Sequence, residues 1–137
     1  MYIHFQINMK EKSTAQLIQV CQVKFNAYVR ARDKGLPCIS CGAANPTDAG
    51  HLFKKSTRPA MRFIPEACHL QCRKCNSLHD GNYDEMCKGI AARYGVEYLT
   101  NVIQMANESR KMDHKWSRNE LMELIRYFEI ETKKWNP

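Results

Sequence analysis

Two Cys-x-x-Cys pairs, Cys38/Cys41 and Cys72/Cys75, bracket a segment that holds a histidine, and an asparagine follows the last cysteine directly. Four thiolates complete the tetrahedral shell of zinc and leave no position for a reacting water. This spacing therefore implies a structural ion that builds a site without catalysing in it. Between the pairs, "DAGH" puts His51 behind Gly50, a residue that lets a backbone or a phosphate approach closely, and "CRKCN" ends on Asn76. An imidazole can take a proton from water at neutral pH, and a carboxamide oxygen is a hard ligand for Mg²⁺. Fixed face to face by one zinc, the two suit hydrolysis of a phosphodiester, with a hydrated Mg²⁺ (or Mn²⁺ in its place) on the scissile phosphate. Arg62 is the candidate for transition-state charge. Lys54, Lys55 and Arg58 join it as contacts to a phosphate backbone. Asp48, ahead of His51, and His79, one turn past Asn76, are further candidates for the Mg²⁺ shell.

Each residue also has a plainer use. His51 can be a histidine hydrogen-bonded within the zinc lobe, Asn76 a helix cap, and the cations a solvated loop. A non-catalytic zinc module that binds nucleic acid keeps the cysteines and the charge but needs neither His51 nor Asn76. A protein-interaction adaptor explains the zinc and leaves the basic excess unused.

The elements that must position these residues divide the chain into an N-terminal extension, 1–12, and one domain, 13–137. Leu17, Ile18, Cys21, Phe25, Tyr28 and Val29 recur at helical spacing over 13–36, and Gly35 and Pro37 end that helix. The core, 37–81, has no helical period. Short strands are expected at "DAGHLF" and "AMRFI", joined by the turn-like "KKSTRP". Helices return over 82–137. Asn82 is the expected N-cap of the first, since "NYDE" has capping-box spacing, and Gly95 its C-cap. Tyr83, Met86, Ile90 and Tyr94 form its apolar stripe. Leu99, Val102, Ile103 and Ala106 form a second stripe, and "SRNE" at Ser117 caps a last helix with Leu121, Leu124, Ile125 and Phe128 inward. The expected fold is α+β.

The 137 residues carry a net charge of +7, which favours a polyanionic partner. Seven cysteines, an odd number, argue against full disulfide pairing, and Cys21, Cys68 and Cys87 suit core packing. No apolar run is long enough to span a bilayer or to act as a secretory signal, so a cytoplasmic location with no membrane partner is expected.

The layout resembles the ββα-metal, or HNH, nucleases. It is most similar to the zinc-bearing type in which Asn follows the last zinc cysteine, as in phage endonuclease VII, a Holliday-junction resolvase. "DAGH" is also similar to the D-R-G-H element of nonspecific nucleases. More specifically, "RDKGLPCISCG", "AGHL", "MRF", "HLQCRKCN" and "GNY", in this order, resemble the NinG (Rap) family of phage recombination proteins. The resemblance implies a zinc-stapled ββα-metal core flanked by an N-terminal helix and C-terminal helices. It implies a phage or prophage protein of the bacterial cytoplasm, a structure-specific endonuclease for branched DNA such as Holliday junctions and D-loops. His51 would be its general base and Asn76 its metal ligand. Two incisions at a four-way junction imply a homodimer. Two positions depart from the HNH pattern. Gly50 stands where many of these nucleases carry an acidic ligand, and Ala67 stands near the place of the central Asn, for which His69 is a candidate substitute.

Overall fold

The computed structural model describes residues 9–78, 81–109 and 114–136. Among them the elements run α1 (Thr14–Arg32), β1 (Asp48–His51), β2 (Cys68–Gln71), α2 (Tyr83–Tyr94), α3 (Val96–Ser109) and α4 (Arg118–Trp135). They fall into two compact units, Met1–Tyr28 with Trp116–Pro137, and Val29–Lys115, where the sequence alone suggested one domain over 13–137.

The first unit is a helix pair. Ser13 opens α1 with a reciprocal cap: its Oγ accepts from the Gln16 amide at 3.2 Å and its own N–H donates to Gln16 Oε1 at 2.8 Å. The expected box at Ser117 does the same for α4 through Glu120. Leu17, Cys21 and Phe25 are buried on one helix, and Leu121, Ile125 and Phe128 on the other. Phe25 meets Phe128 edge-on with centroids 5.1 Å apart.

The second unit carries the cysteine pairs. β1 and β2 form an antiparallel ribbon with Asp48 opposite Gln71 and His51 opposite Cys68. The second strand is therefore not "AMRFI". That stretch falls among short 3₁₀ turns, Pro59–Met61 and Pro65–Ala67. A proline begins each of them, with its fixed φ and missing N–H. Met61 and Phe63 are buried from these turns, so they read as strand-like while serving as core. β2 is instead "CHLQ", every residue buried, and it runs straight into the second cysteine pair.

A two-stranded ribbon is marginal alone, and here the C-terminal end of α1 supports it. The Leu70 N–H donates to Asp33 Oδ2 (3.1 Å), and Arg32 donates to the carbonyls of Cys68 (2.6 Å) and Pro65 (2.8 Å). The Ile39 N–H donates to the Leu70 carbonyl (3.0 Å). His69 belongs to this support. It is 1% exposed, donates from Nε2 to the Glu66 carbonyl at 3.0 Å, and sits 5.2 Å from the Tyr94 ring. Side chains alternate along a strand, so His69 points to the face opposite that of Cys68, the partner of His51. The expected substitute for the central Asn is thus a packed structural histidine.

α2 and α3 pack against the segments that flank the ribbon. Met86, Ile90, Val102 and Ala106 share one core with Ile39, Leu52, Phe53 and Met61. Gly89 lets α2 lie against the first cysteine loop, since a Cβ there would fall 1.6 Å from the Ile39 carbonyl oxygen. Gly95, at φ +103°, ends α2 as expected.

Candidate nucleic-acid and metal site

The sulfurs of Cys38, Cys41, Cys72 and Cys75 all lie within 4.8 Å of one another, with Cys41 Sγ and Cys72 Sγ 3.7 Å apart. A tetrahedron with Zn–S bonds of about 2.3 Å has edges of about 3.8 Å, so the four can hold an ion such as zinc with little movement. Each loop turns an amide toward a sulfur: Cys41 N–H to Cys38 Sγ and Cys75 N–H to Cys72 Sγ, both 3.5 Å. A further donor comes from Asn82, whose Nδ2 reaches Cys75 Sγ at 3.4 Å. Asn82 does stand at the N-cap of α2, and its carbonyl accepts from the Met86 N–H at 2.9 Å. Its backbone is left-handed (φ +49°), its side chain makes no cap bond, and its amide nitrogen donates to the sulfur.

His51 and Asn76 line one cleft of about 790 Å³, together with Lys54, Lys55, Arg58 and Arg62. His51 donates from Nε2 to the Arg62 carbonyl at 3.0 Å, which leaves Nδ1 unprotonated, 3.9 Å from Cys68 Sγ. Burial pushes the imidazole pKa down to about 4, and the nearby charges of Lys55 and Arg62 act in the same direction. His51 is therefore neutral at physiological pH. Burial also lowers Lys55, with Arg62 adding to it. Arg58 lies over the Phe53 ring at 4.8 Å.

Asn76 does not cap a helix. It lies within a π-helical turn, Lys74–Leu78, with its N–H bonded to the Cys72 carbonyl at 3.0 Å. Its Nδ2 donates to Asp48 Oδ2 at 3.2 Å. The other Asp48 oxygen receives the Thr47 hydroxyl at 3.0 Å and faces Arg73 at 3.6 Å. Asp48, a candidate ligand by sequence, is thus the acceptor that fixes the Asn76 amide, and the carboxamide oxygen is the end left over. His79 lies outside the described residues.

Two features of this site escaped the sequence. Gln71 is fully buried, and its Nε2 donates to Ser40 Oγ and to the Gly81 carbonyl, both at 2.7 Å. It crosses directly over Gly50, where a Cβ would fall 1.9 Å from Gln71 Oε1. Gly50 thus makes room for a glutamine rather than a phosphate. Tyr83, read as part of an apolar stripe, is 45% exposed and lines the cleft. Alternation and helical spacing carry no signal for either.

No helix among the described residues is long and apolar enough to cross a membrane. No solved structure matches the chain. Among curated proteins it is 33% identical over 111 residues to protein ninG of Escherichia phage lambda, covering 80% of this chain and 52% of that protein. Protein ninG of Salmonella phage P22 is 32% identical over 111 residues, with 80% and 52% covered. The chain thus spans about half the length of the curated relatives it matches. The family model described as "Bacteriophage Lambda NinG protein" matches residues 5–136, and the chain belongs to that family.

Proposed function

We propose that this chain is a Mg²⁺-dependent endonuclease of the ββα-metal type that cuts branched DNA in the cytoplasm of a bacterial host. The observation that carries the reading is the meeting in one cleft of a neutral histidine, a carboxamide and four cations. A ribbon followed by a helical turn, with the four cysteines at its base, supports the ββα-metal comparison.

The Arg62 carbonyl holds His51 in the tautomer whose Nδ1 lone pair can take a proton from water. Asp48 accepts from the Asn76 carboxamide nitrogen, and the carboxamide oxygen is the atom that would hold Mg²⁺. The chemistry supplied by Mg²⁺ bound there, or by Mn²⁺, is Lewis acidity toward the scissile phosphate and the leaving oxygen. Lys54, Lys55 and Arg58 hold the phosphate backbone, and Arg62 faces the charge that grows in the transition state. Zinc on the four cysteines fixes this frame and takes no part in the reaction. Specificity lies in branch shape, and two copies supply the paired incisions of a four-way junction.

The test compares wild type with His51→Ala on labelled four-way junctions and linear duplex in Mg²⁺. Loss of a positioned base removes about 10²–10⁴ in rate, with binding retained. Equal nicking by the two proteins refutes the role of His51. A second reading, a zinc module that binds nucleic acid without cutting it, is favoured by the Cys68 thiol beside Nδ1. It prevails if both proteins bind and neither nicks with any divalent ion.

A further inference from the structure

The cleft is lined by two chemically different sets of residues. One comprises His51, Asn76 and Arg62. In the other, Tyr83 stands 45% exposed beside Phe53, with ring centroids 6.3 Å apart. This corner is also cationic, because Arg58 lies over the Phe53 ring at 4.8 Å. Phe53 itself is buried, so Tyr83 supplies the accessible aromatic surface.

The corner is held in place by the cysteine cluster. Gly81 and Asn82 both adopt left-handed backbone, φ +83° and +49°, and this double turn delivers Tyr83 to the cleft. Asn82 is tied to Cys75 Sγ, and the Gly81 carbonyl is tied to Gln71. Gly81 also lines the cleft, and among the described residues nothing lies within 4 Å of where its Cβ would be.

We propose that Tyr83, with Phe53 and Arg58, forms a subsite that stacks one unpaired base next to the phosphate held at His51 and Asn76. An aromatic face accepts any base, and a neighbouring guanidinium adds to the attraction. A base within a perfect duplex is already stacked and cannot enter, whereas a base at a branch point or flap is available. The subsite thus turns branch shape into a local contact. It rests on the nucleic-acid reading of the cleft but not on cleavage.

The test is binding without divalent ions, using the zinc-loaded full chain. The probes are four-way and flapped DNA carrying 2-aminopurine at the branch, and matched DNA with the probe within an arm. Wild type should quench the probe at the branch and leave the arm probe unchanged. Tyr83→Ala should bind branched DNA about tenfold more weakly, with duplex affinity unchanged, and Tyr83→Phe should retain both affinity and quenching. The proposal is overturned if Tyr83→Ala keeps the wild-type ratio of branched to duplex affinity. Equal quenching of the two probe positions by wild type also overturns it, as does a wild type that binds no DNA. Tyr83-dependent binding with no nicking under any divalent ion would remove the nuclease reading and leave the subsite standing.

Discussion

Substituting Gly50 with alanine offers a sharp test of how the site is held. The new Cβ would lie 1.9 Å from Gln71 Oε1, 2.6 Å from Cδ and 2.8 Å from Cγ. The Gly50 backbone itself tolerates alanine, so the strain falls on Gln71, which is fully buried and must leave its place. Leaving breaks its bonds to Ser40 Oγ and the Gly81 carbonyl, worth about 1 kcal/mol each. Stranding those acceptors brings the loss to about 3 kcal/mol, and residual overpacking to about 4 kcal/mol. Gln71→Ala alone loses the same bonds without the clash, about 3 kcal/mol. The double variant has no clash left to relieve and should also lose about 3 kcal/mol, some 4 kcal/mol less than the sum of the singles. Guanidinium unfolding of the four zinc-loaded proteins measures the cycle. The reasoning fails if Gly50→Ala stays within about 1 kcal/mol of wild type, or if the two substitutions simply add.

Burial holds His51 and His69 near pKa 4, below the value of about 6.5 for an unfolded chain. The unfolded state then binds the extra protons, so stability is complete above pH 6.5 and falls as pH drops toward 4. The slope approaches about 1.4 kcal/mol per pH unit for each histidine. Unfolding at pH 7.5 and 5 should show this fall, and His69→Asn should flatten it. Displacing the metal with a mercurial should release one equivalent of zinc and collapse the helical signal of residues 29–115, since such ions supply most of the folding energy of small zinc lobes. Retention of the signal after zinc loss would contradict this. Gly89→Ala drives a Cβ to 1.6 Å from a backbone oxygen that cannot swing aside, and it should destabilise by about 3 kcal/mol or more in the same unfolding assay.

The parts of this architecture visible in the sequence are those set by local chemistry. The Cys-x-x-Cys spacings give the cysteine cluster, "SRNE" gives the α4 cap, and Gly95 gives the end of α2. The second strand was misplaced because Met61 and Phe63 are apolar at alternate positions for the sake of the core, while the actual strand carries a histidine and a glutamine buried by tertiary partners. Asn82 stands at the N-cap that its spacing indicates, but its side chain makes no cap bond, and its amide donates to a sulfur 3.4 Å away that capping-box spacing does not report. The bond from Asn76 to Asp48 joins residues 28 apart, and no local pattern reports it. Tyr83 and Tyr94 of α2 are both exposed, and which of them lines the cleft depends on the tertiary fold, so helical spacing does not separate Tyr83 from its stripe.

The end of α1 closes the outer margin of β2. Arg32, Asp33 and Ile39 together use the outward-facing amide of Leu70 and the outward-facing carbonyls of Cys68 and Leu70. An extended peptide laid along that margin finds no vacant main-chain partner, so strand addition is closed to it. Self-association along β2, whether productive or amyloid-like, is suppressed by two charged side chains lent from a helix.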